Sequence, residues 1–326
     1  MKRFFFTSKM LSMLAILAMT FSTVSCDEDD DHNPTETIAT IAGRTENLST
    51  LVTALQKADL VNTLNDKNVS YTVFAPTNQA FTTFLQAKGY SGVADPTLTA
   101  SALRRILLNH VVNIETYAAN LPTDGYLKTL APSDNNNNTL SLYVNKSSGT
   151  RLNGTVNVIT KDTRATNGVI HIVDGVIDLP TITTHLRANP SLSTLVIQLN
   201  RGGGQPDFAS ILNGAGPFTI FAPTNNAFSS LNTELTGGMS SLTAGNISDV
   251  LRYHIAPNKF LSGQLTNGQI VRTTLVLPTL QTFTVNTTNG LKITDARSRI
   301  TDIGTVNIEA TNGVIHAVNR VLLPIL

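Results

Sequence analysis

The sequence predicts an α+β fold built twice in tandem, and three observations carry that prediction. The phrase "TVFAPTNQAF" at 72–81 returns as "TIFAPTNNAF" at 219–228, with eight of its ten positions identical. "LSTLV" at Leu48–Val52 returns at Leu192–Val196, and "ATNGVIH" at Ala165–His171 returns at Ala310–His316, in the same order and at offsets of 144 to 147 residues. Within each copy, helical periodicity comes first and alternating apolar strands later, which argues for helices packed on antiparallel sheets. The offset is too long for solenoid units of roughly 20–50 residues and matches an independent domain of about 100–150 residues. The expected boundaries are 37–180 for the first domain and 181–326 for the second, each long enough to bury its own core.

Ahead of the repeats, Lys2, Arg3 and Lys9 precede an uncharged, mostly apolar stretch from Met10 to Phe21 that gives way to small residues ending at Cys26. That is a secretory signal pattern over 1–26, too short for a membrane span. Cys26 is the only cysteine, so it has no internal disulfide partner, and it stands where the signal would be cut. The placement resembles a bacterial lipoprotein signal, in which this thiol carries the lipid; the bland alternative is an ordinary cleaved signal with an incidental cysteine. Two or more acyl chains hold a protein at a membrane where one does not. The acidic run "DEDDD" opens a leader over 27–36 whose like charges repel and keep it extended. Such a run beside the lipidated cysteine resembles the surface-export signal of Bacteroidota-type lipoproteins.

In the first copy, Leu48, Leu51, Val52, Leu55, Leu60, Val61 and Leu64 recur at helical spacing and predict two short helices. In the second copy "NRGGGQPDF" interrupts that pattern and predicts a loop between Leu199 and Ile211; without Gly-Lys-Ser/Thr it is no phosphate loop. The repeated phrase parses as strand, turn and helix. Tyr71–Phe74 and Phe218–Phe221 favour strand, Pro76 and Pro223 end it by removing a donor, and Thr77 and Thr224 suit N-caps. The following helices are expected to bury Ala80, Phe81 and Phe84, and then Ala227, Phe228 and Leu231. "ASALRRILLNHVV" and "NISDVLRYHIAP" predict helices ending near His110 and His254, with His110 on the apolar face of Leu103, Ile106 and Leu107. Strands follow in "LSLYVN", "VNVIT", "QTFTVNTT", "LKIT" and "TVNIE", and each copy closes through Asn167-Gly168 or Asn312-Gly313 into "VIH" strands. "DLPTITTH" at 178–185 reads as a linker short enough to bring the domains into contact.

These motifs together resemble the fasciclin (FAS1) domain family, twice: the two strand-turn-helix phrases, the helix ends "LLNHVV" and "LRYHIA", and the closures "ATNGVIHIVDGVIDLP" and "ATNGVIHAVNRVLLP". The resemblance covers nearly everything after the leader. It implies a compact wedge or β-sandwich of mostly antiparallel strands flanked by short helices. It implies a secreted or membrane-anchored protein of adhesion or interaction, with surface or matrix proteins or glycans as partners, and no enzyme. The family's Tyr-His pair stands as Tyr253-His254, while Asn109 precedes His110 in the first copy. If adhesion runs through that helix end, Leu251, Tyr253, His254 and Ile255 are the candidate interaction residues, against a core-packing role for the same four. The competing function is a glycan- or small-ligand-binding component of a surface nutrient uptake system, which would need a concave pocket lined with polar and aromatic residues.

Composition narrows the chemistry. The charged fraction is 14%, against about 25% in typical domains, and 23 basic residues nearly balance 22 acidic ones, so no basic stripe offers itself to nucleic acid. The absence of Trp argues against a carbohydrate platform of stacked indoles. His110, His171, His254 and His316 recur in pairs, but no cysteine or carboxylate cluster stands beside them, so each is expected to order a helix end or strand by hydrogen bonds rather than hold a metal. No Gly-x-Ser-x-Gly elbow occurs, and Asp174 near His171 becomes Asn319 near His316. Neither a catalytic residue nor a cofactor site is expected.

Overall fold

The computed structural model describes residues 34–201, 208, 212 and 214–325. The signal segment with Cys26, the acidic run, the glycine-rich stretch at 202–206 and Ile211 lie outside the described residues. Order reaches back into the expected leader. The Glu36 carbonyl accepts from the Thr166 amide at 2.7 Å, and its carboxylate pairs with Arg44.

The first half opens with helices α1 (Ile38–Arg44), α2 (Ser49–Lys57) and α3 (Val61–Asn65). Leu48, Leu51, Leu55, Leu60 and Leu64 are buried, while Val52 and Val61 pack partly exposed against them. Strand β1 (Tyr71–Pro76) ends at its proline, and the Thr77 hydroxyl accepts from the Ala80 amide to cap α4 (Asn78–Ala87). This helix buries Ala80, Phe81 and Leu85. Phe84, expected inside, is only half-buried, because the step of four from Phe81 aims Leu85 at the core; Lys88 lies over the Phe84 ring at 5.6 Å. Helix α5 (Ala100–Leu108), capped by Thr99, buries Leu103, Ile106 and Leu107.

Six further strands follow: β2 (Val111–Val112), β3 (Asp124–Pro132), β4 (Thr139–Asn145), β5 (Arg151–Leu152), β6 (Val156–Ala165) and β7 (Gly168–Val173). They pair antiparallel in sequence until β7 returns beside β1 in parallel, from Tyr71 opposite Gly168 to Pro76 opposite Val173, and closes the circuit. The expectation of mostly antiparallel strands holds, and this pairing is its exception. Both strands are buried on nearly every residue, as parallel strands covered on two faces are, and a continuous apolar run carries no sign of its partner's direction.

The second half repeats the plan with α6 (Ile182–Ala188), α7 (Ser193–Arg201), β8 (Phe218–Pro223), α8 (Asn225–Glu234), α9 (Ala244–Tyr253) and β9 (Ile255–Ala256). The sheets follow with β10 (Ile270–Val276), β11 (Leu280–Asn286), β12 (Lys292–Thr294), β13 (Ile300–Asp302), β14 (Ile308–Ala310) and β15 (Gly313–Val318). Its strands form two four-stranded sheets, β10-β11-β12-β13 and β14-β15-β8-β9, with β15 parallel to β8. The linker is shorter than expected, since Thr181 already caps α6 and Thr184 answers it in a reciprocal pair of bonds. Each half holds one core between helices and sheet and a second between its strands, the latter centred on Phe74 and Leu142 in one half and on Phe221, Tyr253 and Phe283 in the other.

Candidate functional site

The repeated motif residues converge inside the fold, where each joins elements distant in sequence. His110 Nδ1 lies 2.8 Å from the Ile106 carbonyl and its Nε2 accepts from the Ile177 amide at 2.8 Å. His254 repeats this with the Val250 carbonyl at 2.7 Å and the Leu322 amide at 2.9 Å. One nitrogen donates and the other accepts, so the neutral ring is the form that fits, and burial pushes both histidines down to about 4. His171 bonds the Asp162 amide and the Thr116 carbonyl and stacks on Phe74, while His316 bonds the Asn307 amide and the Phe260 carbonyl and stacks on Phe221. With both nitrogens of all four rings occupied, none has a lone pair left for a metal.

Asn167 and Asn312 act as clamps. The Asn167 carbonyl oxygen accepts from the Ile38 amide at 2.9 Å, and its NH2 donates to the Leu64 and Asp66 carbonyls at 2.8 and 3.0 Å. Asn312 makes the same three bonds with Ile182, Leu212 and Gly214. Removing this side chain orphans a donor and two acceptors in a buried place. Asn167→Ala is therefore expected to cost about 3 kcal/mol or more, read as a lowered urea midpoint at unchanged slope. A loss below about 1 kcal/mol would show the clamp to be replaceable by water.

The helix-end interaction candidates are corrected by burial. Leu251 is 3% exposed, Tyr253 0%, His254 2% and Ile255 2%, so none has surface to offer a partner while the fold is intact. The Tyr253 hydroxyl donates to the Thr282 carbonyl at 2.7 Å and accepts from the Ala296 amide at 2.9 Å, tying α9 to the β10–β13 sheet. In the first half Asn109 bridges instead, donating to the Ile177 and Asp178 carbonyls and accepting from the Thr129 hydroxyl. The amphipathic spacing of α9 placed these residues on its apolar face, and the sheet covers that face.

What the motif residues do not form, the junction of the halves does. Strand β4 is buried along its length except at its ends, because the second half covers its outer face, leaving Ser141 at 1% and Tyr143 at 0% exposure. Glu309 of β14 is the centre of that contact. Its carboxylate meets Lys128 of the first half at 3.0 Å and Lys259 of its own half at 2.8 Å, and accepts from Ser133 of the first half at 2.5 Å. Lys259 also reaches Asp134 across the junction at 2.7 Å, and the Glu309 amide donates to Ser141 Oγ at 2.9 Å. Burial works against both carboxylates, but the lysine contacts and hydroxyl or amide donors outweigh it, lowering Glu309 and holding Asp134 down at about 2. Asn189 donates to the Tyr126 hydroxyl at 3.2 Å, and the His185 ring sits edge-on to Tyr126 at 5.5 Å.

Glu309→Ala would leave Lys128 and Lys259 without their shared partner and is expected to cost about 2–3 kcal/mol. The loss should appear as a separation of the unfolding of the two halves, seen as a biphasic urea curve where the parent gives one transition. A single unshifted transition would count against the cluster as the lock.

Beside this lock, the halves enclose a cleft of about 490 Å³ whose walls include Asp124, Tyr126, Lys128, Asn189, Thr305 and Asn307. Thr224, expected as a cap and found capping α8, also reaches its wall. The sequence reading expected the domains to touch but found neither the cleft nor the Glu309 cluster. A signal existed in the positions where the copies disagree: Glu309 stands where the first copy has Arg164, Lys259 where it has Glu115, and His185 where it has Ile41. Charge reversals between duplicated positions mark surfaces that face different surroundings.

The comparisons agree with the duplicated plan. A model of the Fasciclin domain matches residues 46–180 and 190–324. Protein sll1483 of Synechocystis sp. is 31% identical over 150 residues, covering 44% of this chain and 73% of that protein. Stabilin-1 of Mus musculus is 38% identical over 121 residues, 35% of this chain and 4% of its own length. Periostin of Homo sapiens is 26% identical over 268 residues, 78% of this chain and 28% of its own length. The chain thus spans a small part of the two animal relatives. Among solved structures, a FAS1 domain pair from the insect cell adhesion molecule Fasciclin I matches with a TM-score of 0.52 at 20% identity, covering 85% of this chain and 97% of that one, a likeness of fold. The duplicated motifs, the repeated clamp and the paired sheets are those of two fasciclin domains in tandem, and the chain belongs to the fasciclin domain family.

Proposed function

We propose that this is an exported, non-enzymatic adhesion or interaction protein, tethered to the bacterial outer membrane by lipid on Cys26 and facing the cell exterior. The observation that carries the reading is the tandem pair docked as one compact unit, similar in fold to the domain pair of a protein described as a cell adhesion molecule. Among the described residues no helix is long and apolar enough to cross a membrane, so attachment in this reading rests on Cys26. The contact surface we assign is the outer face of the β10–β13 sheet, where Ile270 is 67% and Ile300 59% exposed. The same face of the first half already binds a protein surface, namely the second half, and a surface or matrix protein is the occupant of this one.

The test is binding of residues 27–326 to arrays of surface proteins and glycans, with Ile270→Asp as the comparison. Protein binding weakened about tenfold or more by Ile270→Asp supports the reading; binding that ignores the substitution rejects this face. In cells, Cys26→Ser is expected to move the protein from the membrane to the soluble fraction, and retention in the membrane would reject the anchor. The alternative, a ligand-binding component of a nutrient uptake system, draws its support from the cleft alone.

A further inference from the structure

The cleft between the halves has the size of a small-ligand site, within the range of about 300–1,000 Å³ that such sites occupy. Its shape is set in advance, because the Glu309 cluster pins both walls through Lys128, Lys259 and Ser133. The chemistry of the lining follows from which groups are already used. Among the described residues Lys128 is the one lysine or arginine on the wall, and it is committed to Glu309 and to the Asn307 and Thr139 carbonyls. Among the described residues an anion would find no free cation there. Asn307 is likewise closed, its amide side chain exchanging bonds with Ser262.

Other groups are open. Asp124 uses one carboxylate oxygen to accept from the Tyr143 hydroxyl at 2.5 Å, and its second oxygen has no partner among the described residues. The Tyr126 hydroxyl accepts from Asn189 and keeps its own proton to donate; burial raises it to about 12, so that proton stays in place at neutral pH. The Ser191 and Thr305 hydroxyls make no side-chain hydrogen bond among the described residues, and both residues are exposed at the cleft wall. The open inventory is therefore one carboxylate oxygen, the two hydroxyls of Ser191 and Thr305 that both donate and accept, and the proton and half-buried ring of Tyr126. A ligand that satisfies it carries many hydroxyls, no net charge, and some CH surface for the tyrosine.

We propose that this cleft is a carbohydrate-binding site of mono- to disaccharide size. A carboxylate oxygen and hydroxyls are the groups that take up vicinal sugar hydroxyls, and the half-buried Tyr126 hydroxyl among them discriminates against ligands that leave it unpaired. Recognition rests on hydrogen bonding and on Tyr126, without the indole platform that this chain lacks. The site is independent of the macromolecular contact assigned to the β10–β13 sheet, and the sugar occupies a space that the sheet face does not share.

The experiment is saturation-transfer NMR and calorimetric titration of residues 27–326 with glucose, galactose, mannose, N-acetylglucosamine, maltose and cellobiose, and with a small primary amine as contrast. Saturable binding of one or more sugars is expected, weakened about tenfold or more by Asp124→Asn and abolished by Thr305→Trp, which fills the cleft from an exposed position. Ser191→Trp serves as a second filling variant in case Thr305→Trp lowers the melting temperature. Ile300→Ser, on the far sheet, should leave sugar binding unchanged. No saturation with any of the sugars at millimolar concentration overturns the proposal, as does sugar binding indifferent to both tryptophan variants. Binding of the amine alone would reassign the cleft to a cation held by Asp124. Protein binding that persists in Thr305→Trp keeps the adhesion reading separate from the outcome here.

Discussion

Lowering the pH from 7 to 5 is expected to destabilise the folded chain by about 5 kcal/mol if its three most strongly lowered histidines respond fully. His110, His185 and His254 are each held down to about 4, in every case first by burial. The unfolded chain takes up these protons near 6.5, whereas the folded chain resists until about pH 4. Folded pKa values below the unfolded ones for a base mean that stability is fully present above about 6.5 and is lost as pH falls toward 4. The slope is roughly 1.4 kcal/mol per pH unit for each histidine. His110 and His254 carry a structural reason beyond burial, since protonation would turn the acceptor nitrogen facing Ile177 or Leu322 into a second donor. Glu309 and Asp134 are lowered carboxylates, so their contribution is lost only below the ordinary carboxylate range. Urea midpoints measured at pH 7.5, 6.0 and 5.0 with constant slope check this. Equal midpoints at 7.5 and 5.0 would mean that these histidines are not buried in solution.

Gly168→Ala is expected to prevent folding at room temperature, with a cost above about 4 kcal/mol, at the far end of what single substitutions do. Gly168 adopts φ +132°, and a Cβ there would stand 1.9 Å from the Tyr71 carbonyl oxygen. The oxygen belongs to backbone in the parallel β1–β7 pairing, so it has nowhere to move without breaking the closure of the sheet. Gly313 stands in the same position against Phe218, 2.1 Å from its carbonyl oxygen, and Gly313→Ala should unfold the second half in the same way. Gly92→Ala is the matched control, because nothing lies within 4 Å of its added Cβ. Soluble, cooperatively folding Gly168→Ala protein with a midpoint close to the Gly92→Ala control would refute the close-approach argument.

These glycines illustrate what could be read in advance. The Asn-Gly dipeptide announced a turn, and it is one, but the reason the glycine is required is not the turn itself. It is the arrival of β1 alongside β7, a pairing between residues nearly a hundred positions apart. Likewise the periodicity of α5 and α9 predicted that His110 and His254 would face inward, while the amide each accepts from, Ile177 or Leu322, lies 67 or 68 residues further on. Tyr253, a candidate for outward contact weighed against a core-packing role, takes the core role for the same cause. A residue at a helix end is exposed or buried according to what packs over that end, and here a sheet from later in the chain covers it.

The sequence by itself determined the duplication, the helix caps at Thr77 and Thr224, the order of helices before strands and the family, because all of these are written in local spacing and in the repetition of short phrases. Tertiary structure alone decided the parallel strand pairing in each half, the burial of the helix-end residues, and the cleft with its Glu309 lock. Each of those depends on the meeting of surfaces remote in sequence, and a solvated glutamate and one clamped between two lysines are spelled alike.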